Sequence, residues 1–268
     1  MQICLDGKRA YAATGGRGFD PAKPVVVFVH GAGQDHTNWQ LPARWFAWHG
    51  HAVLAVDLPG HGRSEGPPLA SVAEMAAWIG RLLAALEVEA AACVGHSLGG
   101  AVALEVAAGR AVRVTRLALL ATASALPVND QLLKAARDQP LEAHRLITAW
   151  ALAADAKLGG NAVPGLWLTN TSLALLARNG PGVLYADFKA CASWRSGPEA
   201  ARGLDCPALI VMGGKDVMTP PRAGRQLADA IPGARSIMIA SAGHMLMAEA
   251  PDAVLDALMA FFGPAAAA

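Results

Sequence analysis

The chain has 268 residues, 54% hydrophobic and 16% charged, with 22 basic against 21 acidic side chains. That length suits one domain with a sizeable core and is short for two large ones. The near-neutral balance, without a basic block or stripe, excludes nucleic acid and anionic membrane as main partners. No run reaches the roughly 18 uninterrupted apolar residues of a membrane span.

The opening "MQICLDGKRAYAAT" carries Asp6-Gly7 between two strand-like runs, a two-residue hairpin signal. "KPVVVFVHGAG" is a continuous β-branched run ending in glycines, which reads as a strand buried on both faces of a parallel sheet. A helix is expected from about Trp39 to Trp48, then a second buried strand in "HAVLAVDLPGHGRS". "SVAEMAAWIGRLLAALEV" has helical spacing, with Ser71 and Glu74 as a capping box. "AAACVG" is the next strand and "LGGAVALEVAAGR" the next helix, with Gly109 as its stop. "VTRLALLAT" is again a strand. The last third alternates strand, helix, strand, helix in "PALIVMGG", "PPRAGRQLADAI", "ARSIMIA" and "APDAVLDALMAFF".

This alternation predicts an α/β fold, a parallel sheet with right-handed crossovers and helices on both faces. One region breaks the rhythm. From about Ala125 to Gly203 there are helical patterns and no convincing strand, with loop signals at "LGGNAVPG" and "RNGPGV". The region holds three of the seven tryptophans, Trp150, Trp167 and Trp194. It reads as a helical insertion over one edge of the sheet, leaving 1–124 and 204–268 as the core. The final "GPAAAA" reads as a frayed end. Cys4, Cys93, Cys191 and Cys206 lie far apart without C-x-x-C spacing, so zinc and redox motifs are unsupported. The start lacks a signal peptide's basic and apolar regions, so a cytoplasmic protein with reduced thiols is expected.

Gly95-His96-Ser97-Leu98-Gly99 matches G-x-S-x-G between a predicted strand and a predicted helix. Two readings compete there: a serine that caps the helix, or a nucleophile on a strained turn beside a helix N-terminus. A nucleophilic serine needs a base. Only His144 and His244 follow it, and His244, in "SAGHMLMAEAP", lies on a loop just past a strand. The base needs an orienting carboxylate. Asp216, in "GGKDVMTP", again follows a strand, although an isolated aspartate there equally fits a turn. Asp205 precedes its strand and lies at the wrong end of the sheet. Jointly, three residues at three strand ends are far more specific than each alone. Backbone N–H donors for an oxyanion are expected at Leu98 and, in "HGAG", at Ala32; a plain tight turn anchored by His30 fits the same glycines.

The pieces "VFVHGAG", "AVDLPGHGRS", "CVGHSLGG", "VMGGKDVMTP" and "SAGHMLMAEAPDAVLDALMAFF" resemble the α/β-hydrolase superfamily over essentially the whole chain. The resemblance implies an eight-stranded, mostly parallel sheet with only the second strand antiparallel, and a cap formed by 125–203. It implies Ser97, Asp216 and His244 as nucleophile, acid and base, with Ala32 and Leu98 as oxyanion donors. Asp57, His61 and Arg63 of "DLPGHGRS" are expected to be structural, with Asp57 and Arg63 tying the loop by side-chain bonds, and His96 is expected to pack or bond locally.

A serine at the elbow, where dehalogenases and epoxide hydrolases of this superfamily carry aspartate, points to acyl transfer to water. The leading expectation is a carboxylic ester hydrolase without metal or organic cofactor, acting on a small molecule with an apolar moiety. Trp167 is the candidate lining residue, although "VPGLWLTN" equally fits a core between cap and sheet. The same triad serves C–C bond hydrolases of β-diketone-type ring-fission products, thioesterases and cofactor-free perhydrolases. A non-catalytic ligand receptor has no need of all three groups.

Overall fold

The structure is a computed structural model that describes residues 1–160 and 165–263. The loop expected around 158–165 and the frayed end therefore fall partly or almost wholly outside the described residues.

Eight strands form one sheet: β1 (Gln2–Leu5), β2 (Lys8–Ala13), β3 (Val25–Val29), β4 (Ala52–Asp57), β5 (Ala90–His96), β6 (Arg113–Leu120), β7 (Ala208–Gly213) and β8 (Arg235–Ile239). Their order across the sheet is β1-β2-β4-β3-β5-β6-β7-β8. β2 runs antiparallel to both of its neighbours, and every other pair is parallel. The β1–β2 connection is the expected tight turn, with Asp6 and Gly7 both left-handed at φ 52° and 72°.

The unbroken apolar runs are explained by burial on two faces. Val25, Val27 and Val29 of β3 point into one core, while Val26 and Phe28 point into the other. Helices α1 (Gln40–Trp48), α2 (Val72–Ala85) and α3 (Leu98–Gly109) follow β3, β4 and β5. The α2 and α3 side chains fill the first core and those of α1 the second. Fully burying each such valine, leucine or phenylalanine stabilises by about 1.5–3 kcal/mol. Ser71 caps α2 by accepting from the Glu74 N–H, but the Glu74 carboxylate reaches back to the N–H of Ala70. Gly109 is the last residue of α3, and the left-handed residue that stops the helix is Arg110 at φ 55°.

Between β6 and β7 the described chain runs through six helices and no strand: α4 (Asp130–Asp138), α5 (Pro140–Ala151), α6 (Ala154–Lys157), α7 (Leu168–Ala177), α8 (Val183–Ser193) and α9 (Gly197–Arg202). Leu132, Ile147, Leu168, Leu176, Leu184 and Phe188 pack there in a third cluster that includes Met245 from the loop after β8. Trp194 fixes the return to the sheet, its indole N–H donating to Glu105 of α3 at 2.7 Å. Helices α10 (Pro221–Ala230), α11 (Leu246–Glu249) and α12 (Pro251–Phe262) complete the alternation, with α12 in the second core. No helix among the described residues is long and apolar enough to cross a membrane.

Candidate active site

The centre of the sheet sets the position of Ser97. It follows β5, which lies between β3 and β6, and precedes the first residue of α3. Its backbone is strained, with φ 52° and ψ −117°; such a conformation in a non-glycine residue costs of order 1–3 kcal/mol. The surroundings enforce it. A Cβ on Gly95 would sit 2.1 Å from the Gly99 carbonyl oxygen, and one on Gly99 would sit 2.2 Å from that of Val29. The Ser97 N–H donates to Leu120 O at 2.9 Å, and its carbonyl accepts from the Thr122 hydroxyl at 2.9 Å. The two readings of the serine separate here, because its side chain makes no capping hydrogen bond. Instead it lines a cavity between sheet and helical insertion.

His244 lines the same cavity. Its Nδ1 is 2.8 Å from Asp216 Oδ2. Asp216 Oδ1 is fully engaged, accepting from the N–H groups of Met218 and Thr219 at 2.8 Å each. Both residues are buried. The carboxylate is thus aimed by two backbone donors, which leaves the other imidazole nitrogen, Nε2, free of Asp216. The backbone of the His244 loop is held on every side. The His244 N–H donates to Ala151 O at 2.8 Å. Glu249 accepts the N–H groups of Gly243 and Met245, both at 3.1 Å, and that of Ala153 at 2.8 Å. Burial pushes the Glu249 carboxyl up from its ordinary value, although these three N–H groups oppose the shift.

His96 is spatially close to His244, with ring centroids 4.9 Å apart, yet it serves as a strut: its Nε2 lies 2.9 Å from the His244 carbonyl oxygen. Burial pushes its pKa down to about 3. His30 is likewise pushed down by burial, to about 4, and accepts the Leu58 N–H on Nε2 at 3.1 Å.

Ala32 is the second residue of the turn closed by Gln34 N–H to Gly31 O at 3.2 Å. The Gly31 N–H donates to the Gln34 side chain at 3.1 Å. Ala32 lines the cavity. As the first residue of α3, Leu98 carries one of the N–H groups that a helix leaves without an intrahelical partner. The structure thus gathers Ser97, His244 and Ala32 around one cavity, with Asp216 directly behind the histidine.

Trp167 does not join them. It is 63% exposed at the start of α7 and outside the cavity lining. Trp150 lines the cavity instead, from the last turn of α5. Trp150 lies within α5, whereas Trp167 is the extended residue just before α7; the sequence pattern does not show which of them faces the sheet. Asp57, His61 and Arg63 act as ties. Asp57 accepts the Arg63 backbone N–H at 2.8 Å and both His36 N–H and Nδ1, while the Arg63 guanidinium goes to the Tyr11 hydroxyl at 3.1 Å. Burial opposes ionisation of Asp57, but His36, His30 and the two backbone N–H groups together hold its carboxyl below the ordinary range. Asp35, His36 and Asp57 also form a compact group of potential metal ligands. Their atoms are taken up by these bonds, by Thr37 and by an Arg178–Asp35 pair at 3.3 Å.

The family model of the alpha/beta hydrolase family matches residues 26–257. The chain belongs to the alpha/beta hydrolase family. It is therefore a member of an enzymatic hydrolase family. Solved alpha/beta hydrolases superpose closely. An enol-lactonase from Burkholderia xenovorans LB400 gives a TM-score of 0.86 over 97% of this chain and 99% of that one, at 24% identity, a likeness of fold. Est816, described as an N-acyl homoserine lactone degrading enzyme, gives 0.82 over 97% and 100%, at 25% identity. A 118-residue stretch is 40% identical to the dihydrolipoyllysine-residue acetyltransferase component of the acetoin cleaving system of Cupriavidus necator. That match covers 43% of this chain and 30% of the relative, so the chain spans under a third of that relative's length.

Proposed function

We propose that this alpha/beta hydrolase is a serine hydrolase of small, uncharged carboxylic esters, with residues 125–203 as a cap over the site. The observation that carries the reading is the Asp216–His244 pair at 2.8 Å beside a strained Ser97 in one cavity. In this reading Ser97 Oγ attacks the ester carbonyl carbon while His244 Nε2 takes its proton. Asp216 holds Nδ1–H and so fixes the tautomer. Negative charge gathers on the carbonyl oxygen, where the Ala32 and Leu98 N–H groups receive it. His244 then protonates the leaving alcohol, and a water activated by His244 releases the acid. Strain of this kind is retained where function requires it, which argues against a ligand receptor. Four free cysteines fit the cytoplasmic placement that belongs to the same reading.

The lining supports the substrate class. The cavity is about 280 Å³, at the small end for ligand sites. Leu126, Val128, Leu132, Ile147, Trp150 and Phe188 line it, and among the described residues no Lys, Arg, Asp or Glu side chain does. A substrate carboxylate would enter it without a counter-charge, at a cost of several kcal/mol. This disfavours acidic ring-fission products and favours neutral acyl groups. The test compares p-nitrophenyl butyrate with p-nitrophenyl hemisuccinate. The neutral ester is expected to have a kcat/KM at least about 100-fold higher, equivalent to about 2.7 kcal/mol. Equal turnover of the two contradicts the reading, and a strong preference for the butyryl thioester reassigns the bond.

A further inference from the structure

Residues 178–187, from the end of α7 into α8, meet the sheet domain at the turn that carries Ala32. Asn179 donates its side-chain N–H to Gly33 O at 2.6 Å, and Asp187 Oδ2 accepts the Gly33 N–H at 2.8 Å. Both backbone polar groups of Gly33 are thus bound by the helical insertion, 146 and 154 residues away in sequence. On the other side of Ala32 the Gly31 N–H is bound by Gln34. Of the N–H groups of this turn, that of Ala32 alone is without a partner among the described residues.

Asp187 is not placed as a packing residue would be. Its side chain is completely buried on α8, and its second oxygen, Oδ1, is buried without a hydrogen-bond partner among the described residues. Leaving a buried polar atom unpaired costs about 1–3 kcal/mol. Oδ2 also lies 2.9 Å from His61 Nε2, while His61 Nδ1 lies 3.1 Å from the Pro59 carbonyl oxygen. Both nitrogens of His61 face acceptors, an arrangement that the imidazolium satisfies. Burial opposes that charge, but Asp187 outweighs it and holds the His61 pKa above its ordinary value. A buried clasp of hydrogen bonds therefore joins three segments: the turn at 31–34, the loop after β4 and helix α8.

Gly33 sits at φ 65°, in the left-handed region where glycine moves freely, so the turn has little conformational stiffness of its own. We infer that Asp187 is a positioning residue for the oxyanion turn: by holding the Gly33 N–H from the cap it fixes the peptide planes that aim the Ala32 N–H at the reacting carbonyl oxygen. The inference rests on the serine hydrolase reading. The cap is then part of the apparatus that stabilises the transition state as well as a wall of the acyl pocket. The Gly33 N–H is taken up by Asp187 and not by substrate, and a misaimed Ala32 N–H matters where charge develops on the carbonyl oxygen, so loss of the Gly33 bond acts on kcat rather than on ground-state binding.

The test uses the full chain with Asp187→Ala and the isosteric Asp187→Asn, whose amide oxygen still accepts from Gly33. Active sites are titrated with an organophosphate that releases p-nitrophenol, so that rates refer to folded sites. For p-nitrophenyl butyrate, Asp187→Ala is expected to lower kcat about 100-fold, the effect of a displacement near 1 Å at a reacting group, with KM within threefold. Amide hydrogen exchange at Gly33 is expected to accelerate in the same variant. Asp187→Asn is expected to recover at least a tenth of wild-type kcat and most of the Gly33 protection. Faster Gly33 exchange with unchanged kcat overturns the inference, as does a change confined to KM. Ser97→Ala is measured alongside: if it retains wild-type turnover, the hydrolase reading falls and takes the inference with it. If Ser97→Ala is inactive and Asp187→Ala is normal, only the positioning role falls.

Discussion

Asp216→Asn is the most informative change at the proposed triad, because the structure dictates which way the new amide faces. Two backbone donors, Met218 N–H and Thr219 N–H, hold Oδ1 at 2.8 Å each. The amide oxygen has to stay with them, which turns the NH₂ towards His244 Nδ1. That nitrogen then accepts, the ring proton moves to Nε2, and Nε2 is no longer able to take the proton of Ser97. Restoring the productive tautomer by flipping the amide leaves two N–H groups facing a donor, at about 1–3 kcal/mol each. The sum, about 2–6 kcal/mol, corresponds to about 30-fold to 2 × 10⁴-fold in rate. The loss of carboxylate stabilisation for the imidazolium adds to it, so kcat is expected to fall by about 10⁴. Initial rates with p-nitrophenyl butyrate at pH 8 measure the effect, and a thermal melt checks that the fold persists. Asp216→Asn with more than a tenth of wild-type kcat refutes this reasoning.

Two further outcomes follow from the same geometry. Trp150→Ala removes an indole from the cavity wall and is expected to shift the preferred acyl chain of p-nitrophenyl esters to longer lengths, whereas Trp167→Ala, at an exposed site, is expected to change kcat/KM less than twofold. A series from acetate to octanoate reads both; the reverse pattern contradicts the cavity assignment. Stability is expected to fall between pH 6.5 and pH 5. His30 and His96 are pushed down to about 4 and about 3, so over this range the unfolded chain binds more protons than the folded one, and stability is lost as pH falls. The unfolded imidazoles are only half charged at pH 6.5, so each contributes about 1.6 kcal/mol across the window, about 3 kcal/mol together. His61, raised in the folded state, gives a contribution already complete below 6.5, and Glu249, also raised, offsets part of the loss. A melting temperature at pH 5 equal to or above that at pH 6.5 contradicts these assignments.

What was legible in the sequence is what local chemistry writes there. Buried strands appear as unbroken runs such as "VVVFV" because both faces of the sheet are covered. The elbow is readable because the close approaches at Gly95 and Gly99 leave no room for a Cβ. Ser97, Asp216 and His244 are each weak signals, and their common place after strands β5, β7 and β8 is what joins them. The supports were not legible. Asp187 lies in an ordinary helical stretch, "YADFKACAS", and its partners are 126 and 154 residues away. Glu249 reads as one more charged helix residue, although its carboxylate holds three backbone N–H groups around His244. Trp167 was the expected lining residue and Trp150 lines the cavity instead for a related reason: the cavity depends on how six helices pack over the sheet, which no local pattern records. Nothing local marks Gln34 either, which braces the turn at Ala32 from within its own loop.

Covalent capture at Ser97 asks the molecule itself which side chain is the nucleophile. The wild-type chain is treated with a fluorophosphonate, digested and examined by mass spectrometry, beside Ser97→Ala and a turnover assay with p-nitrophenyl butyrate. One adduct per chain is expected on the peptide containing Ser97, with parallel loss of turnover, and neither labelling nor turnover in Ser97→Ala. Turnover that survives in Ser97→Ala, or an adduct on another residue with Ser97 unmodified, contradicts the serine hydrolase reading.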